Sequence, residues 1–274
     1  MKPKNIKKYM AFSKAGILSG FAYKFSAFGW LLGDAISLMI LYFLWKAIYQ
    51  NASSDVINGM TFEEMVSYLI YARIGTTLVF STASFWIIGE DIYEGNIAIS
   101  LIRPINYRYR LLATSFGNFL SALILMFVPL MSLSMLLFHF TLEIPIPGIL
   151  NFGWFFASVI LSFMIADSLN FLIGEMALFT NALFGLMIIK NITLSFFSGS
   201  LLPSSFFPNW LEITMKFLPF QSMIETPIMI LMGKLEGYQL LSTFLMQFVW
   251  VFVLNAVCNL SFNAMKKRVV SVGG

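Results

Sequence analysis

Charged side chains make up 11% of the 274 residues, and they fall in short blocks between long uncharged runs. Residues 111–142 hold no acid, lysine or arginine, nor do 144–166, 191–211 or 237–265, and residues 25–45 hold one charge, Asp34. A helix of about 20 mostly apolar residues crosses a hydrocarbon layer of ~30 Å. A water-soluble domain would be about 25% charged. This distribution predicts an all-α integral membrane protein, with the polar blocks as turning points or contact surfaces.

Six spans with short connections use nearly the whole chain: 25–49, 63–89, 111–138, 149–172, 178–201 and 238–265. No room is left for a sizeable water-soluble domain, and no cleavable signal peptide is expected, because the first apolar run is too long. Glu143, Pro145, Pro147 and Gly148 predict a stiff turn after span three, and a tight turn around Gly174 and Glu175 leads to span five. Before span one, Ile6, Met10, Ile17 and Phe21 share one helical stripe and Lys4, Lys7, Lys8 and Lys14 another. That spacing predicts an amphipathic helix over 1–24, lying in the membrane interface against anionic lipid headgroups; a loosely ordered basic tail is the plainer alternative. Between spans five and six, prolines 203, 208, 219 and 227 cut residues 202–236 into short apolar pieces. These predict two short re-entrant helices turning back near Pro219.

Basic residues set the orientation. Six lysines precede span one, Arg103, Arg108 and Arg110 lie between spans two and three, and Lys266, Lys267 and Arg268 close span six. Six spans put all three groups on one side, which the positive-inside rule makes cytoplasmic. The net charge of +4 is thus a topological signal and not a mark of nucleic-acid binding. Both termini are expected inside and the 202–236 segment outside.

Enzymatic chemistry finds little support. His139 has only Glu143 at ligand spacing, too few for a metal site, and the single cysteine, Cys258, reads as apolar packing. No GxxxxGK[ST] loop is present, so ATP is not bound by that route. Three features stand out instead. The segment 90–110 mixes Glu90, Asp91 and Glu94 with Gly95, Arg103 and Pro104, and its Ile92, Ile97, Ile99, Leu101 and Ile102 give it a greasy side. It reads as a short acidic helix, a break and a basic start to span three, and so as a docking surface for a cytoplasmic partner or a helix tucked against the bilayer. Phe196, Phe197, Gly199, Pro203, Phe207, Pro208, Trp210, Pro219 and Phe220 could line an external gate or anchor in the interface. Asp34, Arg73, Asp167 and Lys190 are charges inside or near spans, where they face a bundle interior or water. Helical rise leaves Asp167 and Lys190 about 10 Å apart in depth, a poor match for a direct pair. Gly16-x-x-x-Gly20 and Gly29-x-x-x-Gly33 offer small-residue packing, the second being the stronger candidate.

The stretches Glu94-Gly95-Asn96-Ile97, Leu101-Ile102-Arg103-Pro104, Ser198-Gly199-Ser200-Leu201-Leu202-Pro203, Phe206-Phe207-Pro208-Asn209-Trp210 and Leu218-Pro219-Phe220, with Pro227, Gly233 and the ending Val272-Gly273-Gly274, resemble the membrane permease subunit of ABC-2 type exporters. The likeness is to the branch often encoded as two related permeases beside one ATPase. It runs over nearly the whole chain as a single transmembrane domain. It implies a six-span permease in a multi-pass assembly of the bacterial cytoplasmic membrane. Its partners would be a second permease, related or identical, two copies of an ABC ATPase that carry the ATP and Mg, and membrane lipids. By that resemblance the N-terminal helix and the 90–103 segment dock the ATPase. The cargo would be an amphiphilic, peptide, lipid or drug-like molecule. A polysaccharide is less favoured, since no long extra aromatic belt or added domain is present. A non-transporting sensor or scaffold, and an ion-coupled carrier, stay open as rival readings of the same composition.

Overall fold

A computed structural model describes residues 3–22, 24–142, 147–180 and 182–272. The turn expected at Glu143 and Pro145, the side chain of Asp34 and the final glycines lie outside the described residues. The described chain is helical, with twelve α-helices: α1 (Pro3–Ala22), α2 (Lys24–Gln50), α3 (Phe62–Val79), α4 (Ser84–Tyr93), α5 (Ile97–Ile102), α6 (Tyr107–Ala122), α7 (Val128–Leu142), α8 (Ile149–Glu175), α9 (Leu183–Phe197), α10 (Asn209–Phe217), α11 (Glu225–Leu231) and α12 (Gly237–Val272). Among the described residues three helical stretches are long and apolar enough to cross a membrane: Tyr107–Phe140, Ile149–Leu178 and Gly237–Lys266. Two shorter apolar helices accompany them, Ala35–Gln50 and Leu183–Phe197. The chain is a multi-pass membrane protein.

Local chemistry explains several boundaries. Thr61 and Glu64 form a reciprocal capping box at the start of α3, each side chain accepting from the other residue's backbone N–H. Asn106 caps α6 by accepting from the Tyr109 amide at 3.2 Å. A π-helical turn over Leu123–Phe127 joins α6 to α7 without a gap. It falls just before Pro129, whose missing N–H breaks the regular ladder, and the wider turn absorbs the mismatch.

Helix α8 is the hub of the packing, meeting α12, α4 and α11. Its Phe155, Val159, Phe163, Ile165 and Phe171 are buried. The outward faces stay apolar: Ile36, Met39, Ile40 and Phe43 on α2, and Leu241, Leu245, Val249 and Phe252 on α12, are all at least half exposed. In water each such side chain would forgo about 1.5–3 kcal/mol of burial, so these faces suit lipid or a partner.

The structure departs from the expected spans in instructive ways. Span two is not one helix, since α3 stops at Val79 and α4 starts at Ser84. Helix α6 starts at Tyr107, four residues before the expected start of span three, and so takes in Arg108 and Arg110. Helix α8 runs to Glu175, and a short 3-10 turn at Met176–Leu178 follows, so the reversal lies beyond Gly174 and α9 is shorter than expected.

Helix α1 forms where amphipathic spacing places it, but its contact face is the small-residue one. It runs alongside and parallel to α6. Tyr9 meets Tyr109 edge-on, the Ser13 hydroxyl donates to the Ala113 carbonyl at 2.8 Å, and Gly16 and Gly20 abut Thr114 and Ser121. A Cβ on Gly117 would sit 2.1 Å from the Ser13 carbonyl oxygen. The favoured pair, Gly29 and Gly33, has nothing within 4 Å of a built Cβ. It is the first glycine pair that packs.

Candidate functional site

The α4–α5–α6 elbow is built around one acid. Asp91 accepts from the Tyr107 hydroxyl at 2.9 Å, the Arg110 guanidinium at 2.9 Å and the Ser100 hydroxyl at 3.3 Å. The Arg110 guanidinium also lies over the Tyr107 ring, which stacks on Phe262 of α12. Gly95 makes the turn between α4 and α5 at φ +74°, a conformation open to glycine. The predicted acidic run is thus the end of α4, and its members divide: Asp91 points inward, while Glu90, Glu94, Arg103 and Pro104 are exposed. Tyr93 and Ile102 beside them are 75% and 83% exposed. Lys7 and Lys8 are exposed on α1, and the neighbouring Tyr9 hydroxyl accepts from the Asn106 amide at 3.1 Å. That bond brings α1 to the same end of the molecule as the elbow.

A buried polar cluster stands next to it. Arg108 of α6 pairs with Asp167 of α8 at 2.5 Å, with side chains 4% and 0% exposed. Ser84 of α4 donates to the other Asp167 oxygen, and Arg108 also donates to the Ser168 hydroxyl at 3.0 Å. The guanidinium lies 4.6 Å from the centre of the Phe171 ring. Lys190 is not part of this cluster. It donates to the Asn170 side-chain oxygen at 2.9 Å and sits 4.3 Å from the centre of the Phe85 ring. Asp167 and Lys190 therefore have separate partners. Lower on α8, Glu175 accepts from Ser261 of α12. Arg73 is exposed on α3.

At the opposite end, the segment after α9 is knotted into the bundle. The Tyr68 hydroxyl donates to the Gly199 carbonyl at 2.6 Å, and the Glu225 amide donates to the Ser198 carbonyl at 3.0 Å. The Ser204 hydroxyl and amide both donate to the Glu225 carboxylate, at 2.6 and 3.1 Å. Gly199 has φ +82°, and a Cβ there would meet Glu225 at 2.7 Å and Tyr68 at 2.8 Å, so this position requires glycine. Desolvation raises the Glu225 carboxyl above its ordinary range, with the Ser204 bonds opposing.

Among the residues expected at a gate, Phe196 meets Phe207 and Phe197 meets Phe220, with ring centres 5.0 and 5.6 Å apart. Pro203 and Pro219 are buried, Pro208 is exposed and Trp210 is 69% exposed. Two short helices, α10 and α11, flank the turn that contains Pro219. A cavity of about 470 Å³ opens beside them, bounded by Ser205, Glu212, Lys216, Gln221, Glu225 and Thr243.

Sequence reasoning missed Arg108, Ser84, Glu175 and Asn170 as members of buried networks. One signal for Arg108 was available. Asp167 needs a cation at its depth, and Arg108 is a basic residue within the first turn of the helix capped by Asn106.

A family model described as an ABC-2 family transporter protein matches residues 35–273. The chain belongs to this ABC-2 transporter family. No curated protein matches it. The ABC-2 match begins inside α2, so α1 lies outside it. Proteins of the ABC-2 family are membrane permeases without a catalytic site of their own, and they generally pair with ATPase subunits. No group of three His, Cys, Asp or Glu side chains able to hold a metal occurs among the described residues.

Proposed function

We propose that the chain is the permease subunit of an ATP-driven ABC exporter, moving an amphiphilic, peptide, lipid or drug-like cargo out of the cell. In this reading the helices make six spans with both termini cytoplasmic, α1 packs lengthwise on α6 with Lys7 and Lys8 toward the cytoplasmic end, and α10 and α11 form an external re-entrant segment. A second permease, related or identical, completes the pathway, and two ATPase copies supply ATP hydrolysis with its Mg.

The observation that carries the reading is the elbow joined to the buried pair. Its outer surface, with Glu90, Glu94, Arg103 and the apolar Ile99 and Ile102, is exposed and suits a docked protein. Its inner surface is tied through Asp91 to Tyr107 and Arg110. Two residues into the same helix, Arg108 grips Asp167. A push on the elbow by a closing ATPase therefore reaches α6 and α8 through charge-assisted bonds and not through a slack loop. Export requires two global states with different affinities for ATP and cargo. Motion of α8 would be passed to α11 and the Glu225 knot, which it packs against.

Purification of the full chain from its native membrane in mild detergent tests this. A nucleotide-hydrolysing protein is expected to co-purify in a fixed ratio. A chain that purifies alone, from membranes that hold it at normal levels, would sink the assignment.

A further inference from the structure

A cleft of about 370 Å³ lies between the α3–α4 break and α9, bordered by Thr76, Thr82, Trp86, Lys190, Asn191 and Ser195. Such a run of polar side chains is unusual on helices of this apolarity. Lys190 stands halfway along α9, flanked by the exposed apolar Phe184, Ile189 and Ile192. Its ammonium is held by two neutral groups, the Asn170 amide oxygen and the Phe85 ring. Among the described residues no carboxylate pairs with it: Glu175, the nearest buried acid in sequence, accepts from Ser261, and Asp167 is occupied by Arg108 and Ser84. A cation in a low-dielectric wall without a counter-charge attracts an anion far more strongly than it would in water. Phe80, Met187 and Leu194 complete the cleft with apolar surface. Neutral hydrogen-bond donors, one cation and apolar walls together match one chemical class.

We propose that this cleft receives the anionic headgroup of an amphiphilic cargo, with Lys190 as its counter-charge and the apolar walls holding the adjoining hydrocarbon. The assignment deepens the exporter reading and rests on it. Thr82 and Ser195 supply hydroxyls for the headgroup oxygens, while the Thr76 hydroxyl already donates to the Ala72 carbonyl at 2.7 Å. The interrupted span lets the polar headgroup sit at this depth, because Phe80 and Thr82, in the gap between α3 and α4, line the site without a continuous helical wall.

The test uses the full chain in mild detergent, offered equal amounts of lysophosphatidylglycerol and lysophosphatidylcholine of one acyl length, with bound lipid read by native mass spectrometry. Wild type is expected to retain the anionic probe about tenfold over the zwitterionic one, Lys190→Met to fall to about twofold, and Lys190→Arg to keep the preference. Equal retention by wild type, or an unchanged preference in Lys190→Met, overturns the proposal. A photoactivatable headgroup on the same anionic probe needs no variant: label is expected on peptides spanning 76–86 and 187–195, and label confined elsewhere overturns it. Two-chain phosphatidylglycerol separates cargo from bilayer lipid. Weak displacement at equal concentration supports the cargo site, and full displacement assigns the cleft to bilayer lipid and overturns it. The exporter reading is decided separately, by ATPase co-purification with the unaltered chain.

Discussion

Arg108 on α6 and Asp167 on α8 close a 2.5 Å ion pair that is out of solvent, while Ser84 on α4 donates to the second carboxylate oxygen. Three helices that are distant in sequence thus meet at one carboxylate. Burying two charges is costly unless the geometry is good and the remaining hydrogen-bond positions are filled. Here Ser84 and Ser168 fill most of them, although the Arg108 Nε has no partner.

Loss of one partner should be worse than loss of both. Arg108→Met leaves Asp167 charged with only the Ser84 hydroxyl and no counter-charge, a loss of about 3–5 kcal/mol. The double variant Arg108→Met with Asp167→Leu should recover more than half of that. Tryptophan-fluorescence melting in detergent reads the difference, and strictly additive losses would show that the two side chains do not act as a pair.

Added bulk should disrupt the α1–α6 contact and be tolerated at Gly33 of α2. Gly117→Val places atoms into the Ser13 carbonyl and should cost about 1–3 kcal/mol through overpacking. Hydrogen exchange over α1 should rise with it. Gly33→Ala on α2 meets no neighbour within 4 Å and should be neutral or gain up to about 1 kcal/mol in helix propensity. The reverse order of effects would contradict the packing described.

The Glu225 knot should weaken as pH rises. Desolvation lifts this carboxyl above the ordinary 4.5, while the Ser204 and Gln221 bonds pull it down and the nearby Glu212 pushes it up. Glu212 is itself paired with Lys216 at 2.6 Å. The unfolded chain therefore loses the proton first, and native stability is greatest below 4.5 and declines from there through the raised folded value. Melting temperature followed upward from that pH should fall in wild type and flatten in Glu225→Gln. A slope that survives unchanged in the variant would point to another group.

Charge reversal on the outer elbow should uncouple without unfolding. Glu94 is exposed, and its carboxylate accepts from the Asn96 side-chain amide at 2.8 Å. Glu94→Arg should leave membrane insertion and melting within about 0.5 kcal/mol of wild type, as for other surface changes. Cargo-stimulated ATP hydrolysis by the assembled complex should drop sharply. Normal stimulation would remove this surface from the docking site.

Long uncharged runs made the apolar helices legible, and the prolines of 202–236 foretold two short helices with a turn at Pro219. The gap between α3 and α4 was not legible. Residues 76–84 contain neither proline nor glycine. The helix instead ends because the Ala83 amide finds the Ser115 hydroxyl at 2.9 Å, a contact from another helix. The two glycine motifs have the same spacing, and residues far away in sequence, Thr114, Gly117 and Ser121, decide which of them packs. Arg108 looked like its neighbours Arg103 and Arg110 because a basic run at a span boundary ordinarily sets topology. Its burial follows from where α8 places Asp167.

The missing turn after α3 also constrains what can face it. A helix carries its own backbone bonds into oil, whereas residues 80–83 lack the helical repeat. Acyl chains offer no hydrogen bonds to such a stretch. The Ser115 hydroxyl meets the Ala83 amide from within the chain, so the part of this flank that stays open suits water or a polar ligand and rejects bare hydrocarbon.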